Sequence, residues 1–199
     1  MRGRLSWPII FLVLSGCGAA PPLQPPEVLP LVEAAPVAIT LRYAEDLRNH
    51  HCTGDKGYIA YSWSFALGPP SIEMFDPIFE SLFVEVGDGS GAGAGDKRDV
   101  VELALTAFTG CQASWPIIGT SVVEIAYEAV ARSPEGAELT HWSGRGRAGP
   151  GDDLGDPSLT GDPEASHLNA LTSIAMRKAA ADFVVTFETD PAVRAWVTR

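Results

Sequence analysis

The chain is short of positive charge, of histidine and of long apolar runs, and each shortage removes a class of function. Its 199 residues carry 14 Lys and Arg against 25 Asp and Glu, a net charge of -11. Phosphate contacts need clustered cations, so no nucleic-acid partner is expected. The same deficit argues against peripheral adsorption to anionic lipid head groups. No run reaches the roughly 20 apolar residues of a membrane-spanning helix. Four histidines are present, and none sits in a recognised catalytic motif. What remains is a chain with 46% hydrophobic residues, a composition that fits a globular protein rather than a disordered one.

The most informative stretch is the first seventeen residues. Arg2 and Arg4 make a basic start, residues 5–13 are apolar apart from Ser6 and one proline, and Leu14-Ser15-Gly16-Cys17 follows. Charged, then apolar, then small residues is the build of a secretory signal. The run Leu-Ser-Gly-Cys resembles the lipobox of bacterial lipoproteins. That resemblance implies a diacylglycerol on the Cys17 sulfur, cleavage just before it, and acylation of the new amine. Cys17 would then be the first mature residue and would hold the protein on a membrane through its acyl chains, each buried methylene contributing about 0.8 kcal/mol. The competing reading is an ordinary secretory signal with an incidental cysteine.

The chain has three cysteines. With Cys17 lipidated, Cys52 and Cys111 are left as a pair. An exported protein meets an oxidising compartment, so they form either a disulfide or two buried thiols. A bond would close a loop of about 60 residues and contribute roughly 4 kcal/mol in the chain-entropy description.

The expected organisation is a signal peptide over residues 1–16, a lipidated cysteine with a proline-rich linker over 17–36, and one globular domain over 37–199, a usual size for a single domain. The repeated prolines of the linker disfavour helix and ladder hydrogen bonds, so it reads as an extended spacer of at most about 3.1 Å per residue. Its expected role is reach, several nanometres from the bilayer.

Within the body, Ile39, Leu41 and Tyr43 alternate with polar residues and predict a strand. Residues 44–57 read as polar and turn-rich. Ile59, Tyr61, Trp63, Phe65 and Leu67 share one face of a second strand, which Gly68-Pro69-Pro70 should stop. Ser71 looks like a helix N-cap. Ile72, Phe75, Phe79, Leu82 and Phe83 then follow helical spacing, so 71–86 is expected as a helix laid across the aromatic face of that strand, with Pro77 kinking it. Residues 100–108 alternate as a strand, and 120–146 reads as a β-hairpin turning at Ser133-Pro134-Glu135-Gly136. Asp162-Pro163 starts the last main helix. Its stripe is Leu168, Leu171, Ala175, Ala179 and Phe183, with Met176, Ala180 and Phe187 beside it, and Arg177 and Lys178 face solvent. Pro191 ends or restarts it.

Residues that carry chemistry elsewhere lack their context here. The glycine run at 87–96 has no Gly-Lys-Ser/Thr ending and reads as a surface loop rather than a phosphate loop. Asp152, Asp153, Asp156 and Asp162 do not have EF-hand spacing. His50-His51-Cys52 has no second cluster at zinc spacing. Ser143 in His141-Trp142-Ser143-Gly144 lacks the first glycine of the hydrolase elbow. His167 is expected to be solvated. No catalytic residue, metal or cofactor is assigned.

The order strand, strand, helix, strand, hairpin, helix behind a lipobox resembles small envelope lipoproteins: the YajG-like and LptE-like lipoproteins and the auxiliary lipoproteins of ABC-type transport. It rests on layout and on local runs such as residues 58–68 entering 71–86, and it transfers no functional residue except Cys17. The expected fold is a two-layer α/β (α+β) sandwich, a mainly antiparallel sheet with two principal helices on one face. The expected place is the bacterial cell envelope, at the outer membrane facing the periplasm, since Gly18 is not the aspartate that favours inner-membrane retention. The expected job is non-catalytic, a docking or assembly subunit for another envelope protein. The alternatives are a binding protein for lipid or a small amphiphile, in a pocket between sheet and helices, and a hydrolase.

Overall fold

A computed structural model describes residues 23–26, 32–55, 62–89, 97–110, 122–152 and 163–199, with the side chains of 52–55, 62–65 and 163–166 left aside. Alternating apolar residues build five strands into one sheet, ordered β4-β1-β5-β6-β7. These are β1 (Ala35–Tyr43), β4 (Phe83–Asp88), β5 (Asp99–Phe108), β6 (Val123–Arg132) and β7 (Glu138–Ala148). A short ribbon of β2 (His51–Asp55) and β3 (Ser62–Ala66) stands apart. The helices are α1 (Glu45–Arg48), α2 (Gly68–Leu82), α3 (Pro163–Thr189) and α4 (Pro191–Val197).

The α/β class is as expected, and the sheet is mixed. β5, β6 and β7 form antiparallel neighbours, and β2 pairs antiparallel with β3, whereas β1 runs parallel to both β4 and β5. Register puts Leu41 beside Val101, Leu103 beside Ala129, and Ala129 beside Trp142. These residues share one face and are buried. The other face carries Glu102, Val130 and His141 in line, then Glu128 opposite Ser143.

Helices cover the apolar face, and aromatic rings fill the space between the layers. Phe75 of α2 meets Tyr127 of β6 at 4.8 Å and Phe183 of α3 at 5.1 Å between centroids. Phe79 lies 6.2 Å from Phe83, Phe83 lies 5.3 Å from Phe187, and Trp142 stacks on Trp196 at 5.9 Å. Edge-to-face and offset contacts of this kind add about 0.5–1.5 kcal/mol each beyond burial. The α3 stripe is as its period predicts: Leu168, Leu171, Ala175, Met176, Ala179, Ala180, Phe183 and Phe187 are all buried, and Arg177 and Lys178 are exposed.

Four expectations need correction. Ser71 is not an N-cap. Helix α2 starts at Gly68 with prolines in its first turn, where a missing N–H costs nothing, and Ser71 is fully buried with its hydroxyl donating to the Leu67 carbonyl at 2.9 Å. The helix also ends at Leu82, because Phe83 is extended and begins β4, where Ala35 pairs with it. Third, residues 51–55 form a strand although they lack alternation, since β3 supplies their ladder. The contacts described for the α2 stripe run to β4, β6 and α3, and the aromatic side chains of Trp63 and Phe65 lie outside the described residues.

The fourth concerns the linker. Ala35 and Pro36 belong to β1. Leu23 is 6% exposed and part of the core cluster, Pro26 is buried, and the Gln24 carbonyl accepts from the Ser173 hydroxyl at 3.4 Å. Residues 23–26 are packed on the body and are not free spacer. A leucine withdraws from water when an apolar surface is offered, whatever the prolines around it do to the backbone.

Candidate functional site

The residues that sequence reading singled out for function are placed as follows. Cys17 and Cys111 lie outside the described residues, and Cys52 is described only by its backbone, opposite Phe65 in the β2–β3 ribbon. His50 is half-buried, its ring set edge-on against Phe108 at 5.6 Å. Burial holds its pKa below the ordinary 6.5, the Asp46 carboxylate opposing and His51 adding to the lowering. His51 is exposed and His167 is half-buried, not fully solvated. His141 faces Glu138, with Nδ1 3.3 Å from Oε1. Among the described residues no group of three His, Cys, Asp or Glu side chains is placed to hold a metal ion. Asp152 of the acidic tract accepts from the Gly149 amide at 2.9 Å and from Lys178 Nζ at 2.6 Å, so the Lys178 bond holds its pKa below the usual carboxylate value.

The functional geometry that composition did not announce is at the two edges of the sheet. A strand edge is a row of unpaired N–H and C=O groups, a template for pairing with another chain. At β7 two groups of that row are capped. The Arg145 amide donates to Asp182 Oδ2 at 2.9 Å, and Lys178 Nζ donates to the Arg147 carbonyl at 3.0 Å. Asp182 and Lys178 stand four apart on α3, on one side of the helix. They reach the edge because α3 sits against the β7 backbone. A methyl on Gly146 would lie 1.9 Å from the Ala175 carbonyl oxygen, and one on Gly144 would lie 2.2 Å from that of Ala179. Glycine is the residue that lets a helix come so close to a strand. A strand reading Gly-Arg-Gly over a helix with alanines four apart is the signal that announces this contact.

At β4 the situation is reversed. Its inner side pairs with β1, and among the described residues no strand flanks its outer side. Val84, next to the buried Phe83 and so on the opposite face of the sheet, is 62% exposed. The polar face of the sheet carries cross-strand ion pairs, Arg147 with Glu124 at 3.2 Å and Arg132 with Glu138 at 3.8 Å. Such exposed pairs contribute about 0–1 kcal/mol each and set surface charge more than stability.

Comparison with known proteins gives only distant likenesses. No protein-family model matches the chain, and no curated protein matches it. Among solved structures it is similar to protein XCC0632 from Xanthomonas campestris, of the family model DUF330, with 11% identity, 92% of this chain and 98% of that chain covered, and a TM-score of 0.43. It is also similar to lipoprotein GNA1162 from Neisseria meningitidis, with 13% identity, 59% and 86% coverage, and a TM-score of 0.33. At these values neither lends a residue role to this chain. No helix of the described residues is long and apolar enough to cross a membrane.

Proposed function

We propose that this chain is a lipid-anchored, non-catalytic docking subunit of a bacterial envelope assembly. Acyl chains on Cys17 would hold it at the outer membrane, facing the periplasm, and the open edge of β4 would take up an extended segment of another envelope protein. The anchor rests on the run Leu14-Ser15-Gly16-Cys17 and on the basic and apolar segments before it. The docking role rests on one observation, the contrast between the two sheet edges. Two backbone groups of one edge are capped by charged helix side chains, while among the described residues no strand flanks the other, which carries an exposed valine. Strand addition uses main-chain hydrogen bonds for affinity and alternate side chains for choice of partner.

The test is extraction in mild detergent followed by affinity capture of the tagged full-length chain. A stable envelope partner is expected. Val84→Lys, at a position that tolerates charge and would block edge pairing, should lose that partner while folding normally. A chain that always runs alone, or a variant that keeps its partner, would overturn the docking role. Palmitate-analogue labelling of the parent and not of Cys17→Ala tests the anchor separately. In the amphiphile-binding alternative a ligand would lie between sheet and helices, where the described rings already pack on one another. Lipid mass spectrometry of the natively extracted protein tests it. Turnover of broad ester, glycoside or peptide substrates tests the hydrolase reading.

A further inference from the structure

We infer that residues 23–26 are a clasp that keeps the body close against the bilayer and fixes which end faces it; this rests on the lipid anchor at Cys17 proposed above. Leu23 sits in the core at 6% exposure, Pro26 is buried, and the Gln24 carbonyl takes the Ser173 hydroxyl. Six peptide steps separate Cys17 from Leu23. Even fully stretched, each step spans at most about 3.6 Å, so the leash reaches roughly 20 Å.

The clasp lies toward one end of the sheet. Helix α3 runs antiparallel to β7: Gly144 abuts Ala179 and Phe183, and Gly146 abuts Ala175. Ser173 therefore lies toward Ala148, which pairs with Val123 at the start of β6. The hairpin turn at 133–136 is at the far end of β6, a strand of 10 residues, and so about 30 Å away at the usual rise per residue. A leash of about 20 Å fastened at the near end cannot let the body stand on its far end, which would lift the clasp about 30 Å from the anchor. Of the two end-on stances this leaves the one with the Ala148 and Val123 end down and the turn up. The unflanked side of β4 then faces along the membrane, where another envelope protein can approach it.

The experiment uses the acylated full-length chain in phosphatidylethanolamine vesicles containing a head-group-labelled acceptor lipid. A donor dye is attached at Arg177→Cys, one helical turn past Ser173, or at Glu135→Cys in the hairpin turn. Both positions are exposed, and the parent chain reports any labelling of Cys52 and Cys111. Transfer from position 177 is expected to exceed that from position 135. Leu23→Asp should release the clasp and collapse the difference, and Leu23→Ala should narrow it should the aspartate variant fail to fold. Equal transfer from the two positions in an otherwise unaltered chain that carries the palmitate analogue would overturn the clasp and leave the anchor standing. A parent chain that takes up no palmitate analogue would overturn both.

Discussion

The amide of Arg145 and the carboxylate of Asp182, 37 residues apart in sequence, are joined by a hydrogen bond of 2.9 Å. With the bond from Lys178 to the Arg147 carbonyl, it caps two outward backbone groups of a long edge strand. Removing both caps by Asp182→Ala and Lys178→Ala should leave the fold intact, since both groups lie at the surface, but expose backbone that pairs with other copies. Concentration-dependent self-association in sedimentation velocity is expected for the double variant and not for the parent. An unchanged monomer profile would remove the protective role.

Gly146 is where the backbone of α3 comes nearest the sheet, and a methyl there has no room. Gly146→Ala should push the helix outward and destabilise the protein by about 1–3 kcal/mol, the range for overpacking a filled site. Urea unfolding by far-ultraviolet circular dichroism measures it. Gly136, at φ +90 in the hairpin turn with nothing within 4 Å of an added methyl, should lose stability for a different reason, the strain of a left-handed backbone, at about 1 kcal/mol.

Asp99 receives the indole N–H of Trp196 at 2.9 Å and also a guanidinium hydrogen bond from Arg199, which fastens α4 to the start of β5. Asp99→Ala leaves the Trp196 N–H buried without its acceptor and should cost about 1–3 kcal/mol. Arg199→Ala, at a half-exposed pair, should cost less than about 1 kcal/mol. Chemical denaturation of the two variants side by side checks the ranking.

Tyr127 is fully buried, its hydroxyl sharing a hydrogen bond of 2.8 Å with Ser71. Burial pushes its phenol well above the ordinary 10.0, and the Ser71 bond opposes this more weakly. The folded-state value is raised, so the neutral ring stabilises the fold fully below pH 10 and the contribution is lost as pH rises from there toward the folded value. Alkaline unfolding should accompany phenolate absorbance. Tyr127→Phe should cost about 1 kcal/mol near neutrality and move the alkaline transition upward. A transition that does not move would show that another group drives it. Tyr43, raised by burial first and by the Asp76 carboxylate beside its hydroxyl next, is the control to replace in parallel.

Some elements were legible because a single period describes them. The α3 stripe from Leu168 to Phe187 keeps helical spacing on a side that meets one surface. The β6–β7 hairpin alternates on either side of a turn whose residues suit it. Phe83 was misread because it satisfies two periods at once, the end of the α2 stripe and the first inward position of β4. Ribbon strand β2 was missed because His51, Cys52, Thr53 and Gly54 owe their ladder to β3 and not to an alternation of their own. Of the candidate site, Asp182 and Lys178 gave no signal at all, since an edge-capping side chain looks like any solvated helix residue until its strand is known.

The sequence by itself determined the α/β class, the apolar faces of the long elements, the acidic charge and the cysteine at the end of a signal-like run, because each depends on residue type and local spacing. Tertiary structure decided that β1 lies parallel between β4 and β5, that α3 side chains cap two groups of the β7 edge, and that Leu23 is drawn into the core. These are pairings between distant segments. A local period fixes which side of an element must be buried, but the surface that buries it is set only when the whole chain has collapsed onto itself.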